Sequence, residues 1–274
     1  WSMQRNRMSH GWKPETGFLP YEWGGYNEGM IMLTLGLGST THPIPKDAWK
    51  NYHATDSVEK LKDGRSYVAF GPMFGHQYSH AWIDYRGIKD DVNKKMGIDY
   101  FENSRRATIA QNEYAIQNPQ GWKGYSKLDW GLTASDGPAG GGVIKQNYNG
   151  KQVEFLGYRA RGAPNDIDDG TIAPTAAAAS LPFAPELVVP TLKHWIKNRP
   201  ELMGKTGFAD AFNPSFDPSK NSGWVDTDRI GIDQGPIVMM LENHRSGMFW
   251  NLMKKNPNIT LGLKRAGFTG GWLR

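Results

Sequence analysis

The stretch GFLPYEWGGYNEGM, residues 17–30, runs directly into the apolar segment IMLTL and decides how the fold begins. Gly24 and Gly25 allow a sharp turn of the backbone, because glycine has no Cβ atom. The apolar residues that follow predict a buried helix over residues 27–37, with Asn27 as its N-cap. A turn crowded with aromatic and acidic residues therefore leads into a buried helix.

Two carboxylates lie in this stretch and are candidates for acid/base chemistry. Glu28 is predicted in the first helical turn, where the helix dipole lowers a carboxyl pKa, whereas apolar burial raises it. Glu22 precedes the turn, and its aromatic neighbours could desolvate it and raise its pKa, as a general acid requires. Helix capping or a structural ion pair is the alternative interpretation of either residue.

The rest of the chain reads mainly as helices joined by glycine-rich loops. Residues 64–82 and 137–171 are predicted as irregular segments, the second with a small hairpin at residues 153–156. About seven helices result, which predicts an all-α fold class. Besides the first, helices are predicted to begin near Pro45 and Thr175 and to span residues 89–117, 185–198, 236–255 and 257–266.

Composition restricts the classes of function. The chain has no cysteine, which excludes disulfides and thiolate metal sites. Its formal charge of +5 comes from scattered basic residues, which we interpret as solvated surface rather than a nucleic-acid interface. No run approaches the roughly 18–20 apolar residues of a membrane span. Eleven tryptophans in an aromatic content of 12% indicate a large aromatic core or a cleft that stacks on sugar rings.

Several chemistries lack their sequence signature. There is no phosphate-binding GxxxxGK[ST] loop, no GxGxxG and no GxSxG. His76 and His80 have the spacing of two metal ligands but no glutamate between them, so local hydrogen bonding is the favoured interpretation. Residues 166–170 have only a faint likeness to a calcium loop, since the glycine is misplaced and the later acidic ligand is absent. We therefore predict no metal and no cofactor, and carboxylates among aromatic residues remain as the chemistry.

Five stretches, taken in order, resemble the glucoamylase-like family of bacterial proteins. The resemblance covers about residues 11–268. Characterised members of that family include endo-β-1,2-glucanases of glycoside hydrolase family 144, and related domains occur in cyclic β-1,2-glucan synthases. The stretches are GFLPYEWGGYNE (17–28), STTHPIP (39–45), WGLTASDGP (130–138), DGTIAPTAA (169–177), and IDQGP (232–236) running into MLENHRSG (240–247).

The resemblance implies an (α/α)6 toroid of helical hairpins, formed as a single domain by residues 1–274. Family domains are longer at the N-terminus, where further helices carry an Asp-x-x-Glu pair. This chain corresponds to about the last two thirds, so the toroid is expected to lack its N-terminal helices. Family members are usually exported, which implies a periplasmic or extracellular location, although these 274 residues do not themselves include a signal peptide.

Residue chemistry and the resemblance together give a set of candidate site residues. The catalytic candidates are Glu28, Glu22 and Asp136. For the aromatic candidates, the alternative role is packing in the core. For Asp136 and Asp169, which precede glycines, the alternative is a turn-forming role. For Asp233, the alternative is capping of a helix. The candidates for substrate binding are Trp23, Tyr26, Asn27, His42, Trp130, Asp169, Asp233 and Gln234. Asp210 lies in a loop that the resemblance also places near substrate.

The predicted function is hydrolysis of a β-glucan, with the β-1,2 linkage and endo action implied by the resemblance. Two carboxyl groups suffice for this chemistry, because one protonates the leaving oxygen and the other activates water or attacks. The predicted partner is a β-glucan oligo- or polysaccharide. A glycan-binding protein that lacks catalysis and a glucan transglycosylase are the alternatives.

Overall fold

The computed structural model describes residues 3–4 and 7–274, which divide into two compact units. Unit 1 contains the described residues up to Phe70, together with Gly75–Arg106 and Ser246–Arg274. Unit 2 contains Gly71–Phe74 and Ala107–Arg245. The prediction that residues 1–274 form one domain stays a prediction.

Helices dominate the described part of the chain, in which 40% of residues are helical. Short 3₁₀ turns at His53–Thr55, Pro200–Leu202 and Gly271–Leu273 add to them. The α-helices are α1 (Met30–Gly38), α2 (Ala48–Tyr52), α3 (Phe74–Trp82), α4 (Asp91–Met96), α5 (Tyr100–Gln117), α6 (Pro174–Ala178), α7 (Pro185–Asn198), α8 (Gly231–Arg245), α9 (Met248–Lys254) and α10 (Pro257–Arg265).

The prediction of an all-α fold class is wrong, because 16% of the residues are in strands, and the predicted toroid is not confirmed. The strands form seven antiparallel pairs within residues 3–4 and 7–274. Most are two residues long, too short for an alternating pattern to reveal them in the sequence. The pairs are β1 (Met3–Gln4) with β2 (Arg7–Met8), β3 (Trp12–Lys13) with β4 (Gly17–Phe18), β5 (Ser57–Lys60) with β6 (Ser66–Ala69), β7 (Ala134–Ser135) with β10 (Arg159–Ala160), β8 (Val143–Tyr148) with β9 (Lys151–Leu156), β11 (Met203–Gly204) with β12 (Gly207–Phe208), and β13 (Phe212–Asn213) with β14 (Trp224–Val225).

The predicted hairpin is present and longer than expected. Strands β8 and β9 pair over six residues each, from Val143 opposite Leu156 to Tyr148 opposite Lys151. Asn149 and Gly150 connect them with φ angles of 51° and 79°. Positive φ at both central residues is what a type I′ turn requires, and Asn-Gly is its favoured sequence.

Glycines interrupt two of the predicted helices. The segment 89–117 forms α4 and α5, separated after Gly97, whose φ is 74°. The segment 236–255 forms α8 and α9, separated at Gly247, whose φ is 70°. These left-handed conformations end a helix. Conversely, part of the segment 64–82 that was predicted irregular forms helix α3.

In unit 1, α1 and α10 cross at very short distance. A Cβ atom on Gly38 would lie 2.0 Å from the carbonyl oxygen of Asn258, and one on Gly262 would lie 2.0 Å from that of Thr34. Only hydrogen atoms fit in these gaps, so both positions require glycine. The crossing belongs to a core that includes buried Leu33 and Leu263.

In unit 2, buried tryptophans fix the helices beneath the loops. Trp130 is fully buried and donates from Nε1 to Thr191 of α7 at 2.8 Å. Trp195, also fully buried, packs edge-on against Phe212 of β13. Trp130 was a candidate for stacking on substrate, but its burial matches the packing alternative.

None of the helices in the described ranges has the length and apolar character needed to cross a lipid bilayer.

The helix crossing gives a test of the fold. We expect Gly38→Ala to lower the free energy of unfolding by about 1–3 kcal/mol, because the added methyl group forces α1 away from α10. Gly235→Ala is the matched control, since Gly235 is also helical and its Cβ would meet nothing within 4 Å. Urea denaturation should show Gly235→Ala unchanged or slightly more stable, and equal stability of both variants would contradict the close crossing.

Candidate active site

Glu28 lies in the turn before α1, not in its first helical turn as predicted. The helix begins at Met30, and Gly29 caps it without a side-chain hydrogen bond. Asn27 was predicted as the N-cap, but its Oδ1 instead accepts from the backbone of Gly29 at 2.8 Å and from the hydroxyl of Tyr52 at 2.6 Å. Asn27 therefore holds the turn that carries Glu28.

The Glu28 carboxyl group is desolvated. Its Oε2 atom is buried and has no hydrogen-bond partner among the described residues. Burial raises the pKa of Glu28 above its usual range. Of the two opposing effects on this pKa, burial prevails because the helix begins two residues later. The hydroxyl of Ser79 fixes the backbone here, since it donates to the carbonyl of Glu28 at 2.9 Å.

Glu22 and Trp23 lie in the extended segment that leads to this turn. Glu22 is half-buried and pairs through its backbone with Ser9. The Trp23 ring stacks on His10 with centroids 4.2 Å apart, and its Nε1 atom is buried without a described partner. The half-buried Trp23 ring is thus already stacked on one side by His10.

Two more aromatic candidates of unit 1 differ in exposure. Tyr26 is only 2% exposed, its hydroxyl is 3.2 Å from that of Ser104, and its ring stacks on Tyr100. This placement matches the packing alternative for Tyr26. His42 is exposed, and its Nδ1 atom is 3.0 Å from the hydroxyl of Thr41.

His76 and His80 lie on α3 and are fully buried. His76 Nε2 is 3.2 Å from the carbonyl oxygen of Phe70, and His80 Nε2 is 3.1 Å from the hydroxyl of Ser104. Burial lowers the pKa of each to about 3. Both histidines are therefore neutral at physiological pH and bond to local groups.

Four aspartates of unit 2 converge, and we call them the aspartate cluster: Asp136, Asp210, Asp226 and Asp233. The backbone N–H of Asp136 donates to Asp210 Oδ2 at 2.6 Å. Asp136, Asp210 and Asp226 each offer one carboxylate oxygen, and these three oxygens lie within 4.8 Å of one another. Three separate chain segments and the start of a helix thus bring their acidic groups to one place.

The pairing of β13 with β14 explains two members of the cluster. Asp210 precedes β13 and Asp226 follows β14, so the antiparallel register brings both to the same end of the pair. The pairing continues beyond the strands, since the Asp226 N–H donates to Ala211 at 2.9 Å and the Asp210 N–H donates to Asp228 at 3.0 Å.

Burial and mutual repulsion raise the pKa values of three aspartates in the cluster. Burial, then the neighbouring Asp210 and Asp228, raise the pKa of Asp136. Burial is also the largest cause that raises the pKa of Asp226. The pKa of Asp233 is raised most, by burial and by the adjacent carboxyl of Asp210. Carboxyl groups in such surroundings can donate a proton near neutral pH.

Asp233 lies in the first turn of α8, which begins at Gly231, so it is not the residue before the helix that the capping alternative required. It is 2% exposed. Gln234 donates from Nε2 to the backbone carbonyl of Phe208 at 2.9 Å and so fixes the β11–β12 hairpin. Asp233 therefore lies against the carboxyl group of Asp210, whereas the adjacent Gln234 bonds to a backbone carbonyl.

Asp169 is held in a fully buried ion pair with Arg161. Arg161 Nε lies 2.6 Å from Oδ1 of Asp169, and Nη2 lies 2.8 Å from Oδ2. Burial alone would raise the pKa of Asp169, but the hydrogen bonds and charge of Arg161 outweigh it and lower the pKa. Asp169 was predicted to bind substrate, and its contacts here are those of a structural ion pair.

Arg161 also positions the segment that carries Asp136. Its Nη1 donates to the backbone carbonyls of Ser135 at 2.9 Å and Asp136 at 3.2 Å. The neighbouring Asp168 accepts from the hydroxyls of Tyr114 at 2.8 Å and Tyr125 at 2.6 Å. The acidic run 166–170 therefore bonds to protein donors rather than forming a calcium loop.

Sequence reasoning missed Asp226 and Arg161 and gave Asp210 little weight. Asp226 lies in a short polar segment that has no motif of its own. Arg161 follows a glycine-rich hairpin and looks like one more surface charge. The positions of these residues depend on pairing between distant segments, which no local pattern records.

The chain belongs to a known family. The Glycoamylase (glucoamylase-like) family model matches residues 20–257. A curated relative from Parabacteroides distasonis, an exo β-1,2-glucooligosaccharide sophorohydrolase acting at the non-reducing end, is 27% identical over 280 residues. The alignment covers 93% of this chain and 35% of that relative.

Solved structures support the same relationship. An endo-β-1,2-glucanase from Chitinophaga pinensis, in complex with sophorotriose and glucose, is 31% identical with a TM-score of 0.79 and covers 97% of this chain. A β-1,2-glucanase from Parabacteroides distasonis is 25% identical with a TM-score of 0.79 and covers 96%. The chain spans 60% and 37% of these two proteins.

The buried ion pair is expected to stabilise the fold far more than an exposed one. Arg161→Met leaves the Asp169 charge buried without a partner, which should cost about 3–5 kcal/mol of unfolding free energy. Arg245→Met breaks the exposed pair with Glu242 and should have no measurable effect in the same urea titration. If both variants are equally stable, the structural role of Arg161 is wrong.

The raised pKa of Asp233 predicts a pH dependence of stability. The folded state binds this proton more tightly than the unfolded chain, so stability falls as pH rises above about 4, the ordinary aspartate pKa. Asp233→Asn removes this group, so the stability of the variant relative to wild type should increase from about pH 4 to about pH 9, the raised pKa of Asp233. Chemical denaturation at several pH values measures this difference, and a constant difference would contradict the raised pKa.

Proposed function

We propose that this protein hydrolyses β-1,2-linked glucan by carboxylate acid/base catalysis. The observation that carries the proposal is a set of buried carboxyl groups with raised pKa values, in a chain whose relatives are named as β-1,2-glucan hydrolases. Hydrolysis of a glycosidic bond needs a group that gives a proton to the leaving oxygen and a carboxylate that assists attack at the anomeric carbon.

Glu28 is the proposed proton donor of unit 1. Its Oε2 atom has no described partner and burial raises its pKa, which favours the protonated form that a donor to a glycosidic oxygen needs. The turn held by Asn27 and Ser79 fixes the backbone that carries this carboxyl. The role of Glu22 as a second catalytic acid in this segment remains a prediction.

Asp136 is the proposed catalytic carboxylate of unit 2. It is half-buried, unlike Asp210 and Asp233, which are 1% and 2% exposed, so a substrate can reach it. Its backbone is fixed on one side by Arg161 and on the other by Asp210. In its ionised form it would accept a proton from water as the water attacks.

Several expectations accompany this proposal. The proposed ligand is a β-1,2-linked gluco-oligosaccharide or the polymer. Of the aromatic candidates of unit 1, Trp23 and His42 remain accessible enough to contact sugar rings. A periplasmic or extracellular location, where such polymers are met, is proposed from the family alone.

A product assay tests the function. The purified protein, incubated with linear β-1,2-glucan, should release short β-1,2-gluco-oligosaccharides and leave β-1,3-, β-1,4- and α-1,4-glucans unchanged. Glu28→Gln and Asp136→Asn should each lower kcat by about 10²–10⁴, the usual contribution of a general acid or base. Glu22→Gln is compared in the same assay.

Matched controls are available in each unit. Glu15→Gln and Asp217→Asn remove exposed carboxylates and should leave kcat unchanged. Release of sophorose alone would indicate exo action, whereas a mixture of lengths would indicate endo action. Rings or longer chains would identify a transglycosylase, and binding without turnover on any glucan would contradict the hydrolase.

A further inference from the structure

Three carboxylate oxygens of the aspartate cluster lie close enough together to bind one cation. Three of its members, Asp136, Asp210 and Asp226, each present an oxygen to a common point, with all three oxygens within 4.8 Å of one another. Oxygens bound to opposite sides of one Ca²⁺ ion are about 4.6–5.2 Å apart, twice the usual bond of 2.3–2.6 Å. Three oxygens no more than 4.8 Å apart in pairs all lie within about 2.8 Å of one point, close to the usual Ca²⁺–oxygen distance of about 2.3–2.6 Å.

A second observation points to a ligand at this place. Asp210 Oδ1 and Asp233 Oδ2 are buried and have no hydrogen-bond partner among the described residues, although the two side chains are only 1% and 2% exposed. Asp226 Oδ2 is likewise without a described partner. A buried carboxylate oxygen without a donor is strongly unfavourable, and one proton shared by Asp210 and Asp233 would still leave Asp226 Oδ2 unsatisfied.

The described part of the chain supplies no cation for the cluster. No lysine, arginine or histidine of these residues forms an ion pair with any of its four members, in contrast to Asp129 and Asp169 of the same unit, which bind Arg199 and Arg161. Arg161 approaches Asp136 through its backbone carbonyl, not its carboxylate. No ion pair among the described residues therefore compensates the cluster, although the nearby charge of Arg161 acts to lower the pKa of Asp136.

We propose that Asp136, Asp210 and Asp226 together bind one divalent metal ion of the calcium class. All three ligands are carboxylate oxygens, which suit a hard cation and not zinc or copper. Mg²⁺ is less suitable, because it demands near-ideal octahedral geometry at shorter distances. Three protein ligands leave several positions to water, so the affinity is expected to be low, with Kd on the order of 10⁻⁴–10⁻³ M.

This inference goes beyond the proposed hydrolysis. Because both proposals use the Asp136 carboxylate, a Ca²⁺ ion bound at the cluster would hold that group out of its catalytic role. The sequence analysis predicted no metal, because a search for ligand spacing looks within one loop. Here the ligands come from three segments that meet only through the β7–β10 and β13–β14 pairs. The one acidic run with a faint likeness to a calcium loop is bonded to protein donors instead.

Metal binding is tested on chelator-treated protein without any glucan. About 10 mM Ca²⁺ should raise the melting temperature by about 2–4 °C, and Mg²⁺ should raise it less. Tb³⁺, a luminescent substitute for Ca²⁺, should give saturable emission excited through tryptophan, since Trp224 lies two residues before Asp226. Ca²⁺ should displace this emission.

Asp226→Asn is the decisive variant. Without metal it should melt at the wild-type temperature or above it, because a repelling charge is removed, which also establishes that it folds. Its response to Ca²⁺ and Tb³⁺ should be lost, whereas Asp217→Asn, which removes an exposed aspartate of the same unit, should respond as wild type does. No Ca²⁺ shift and no saturable Tb³⁺ signal in wild type, or an undiminished response in Asp226→Asn, would overturn the proposal.

Discussion

The ion pair between Arg161 and Asp169 is the contact on which the loops of unit 2 depend. Both side chains are inaccessible to solvent, and together they bind the backbone of six residues: Ser135, Asp136, Leu156, Gly157, Arg159 and Thr171. A buried charge pair is tolerated only when its hydrogen bonds are satisfied, and here nearly every donor of the guanidinium has an acceptor. Segments with little regular structure thereby become fixed, and Asp136 is fixed with them.

Buried carboxylates have two opposite roles in this protein. Asp169 and Asp129 each form an ion pair with an arginine and hold the fold together. Glu28 and the aspartate cluster face no arginine or lysine within the described ranges, and burial raises the pKa of Glu28, Asp136 and Asp233. The same desolvation that stabilises a paired charge makes an unpaired carboxyl group ready to hold a proton or a cation. We therefore expect the chemistry of the protein at the carboxyl groups that have no cationic partner among the described residues.

The sequence predicted the helices well where periodicity was strong and a proline or asparagine marked the start. Helix α7 occupies the predicted residues 185–198, and α10 begins at Pro257, capped by Asn256. The resemblance to the glucoamylase-like family was confirmed by the family model. The all-α class was wrong, because two-residue strands have no periodicity and form only when a loop folds back on a distant partner.

What the sequence by itself determined is the family and most of the helices, since each depends on residues close together in the chain. Only the tertiary structure decided which acidic residues are free. Asp169 and Asp233 are both aspartates at the start of a turn or helix, yet one meets Arg161 and the other meets Asp210. Charge compensation acts through space between distant segments, so no local pattern distinguishes a structural aspartate from a reactive one.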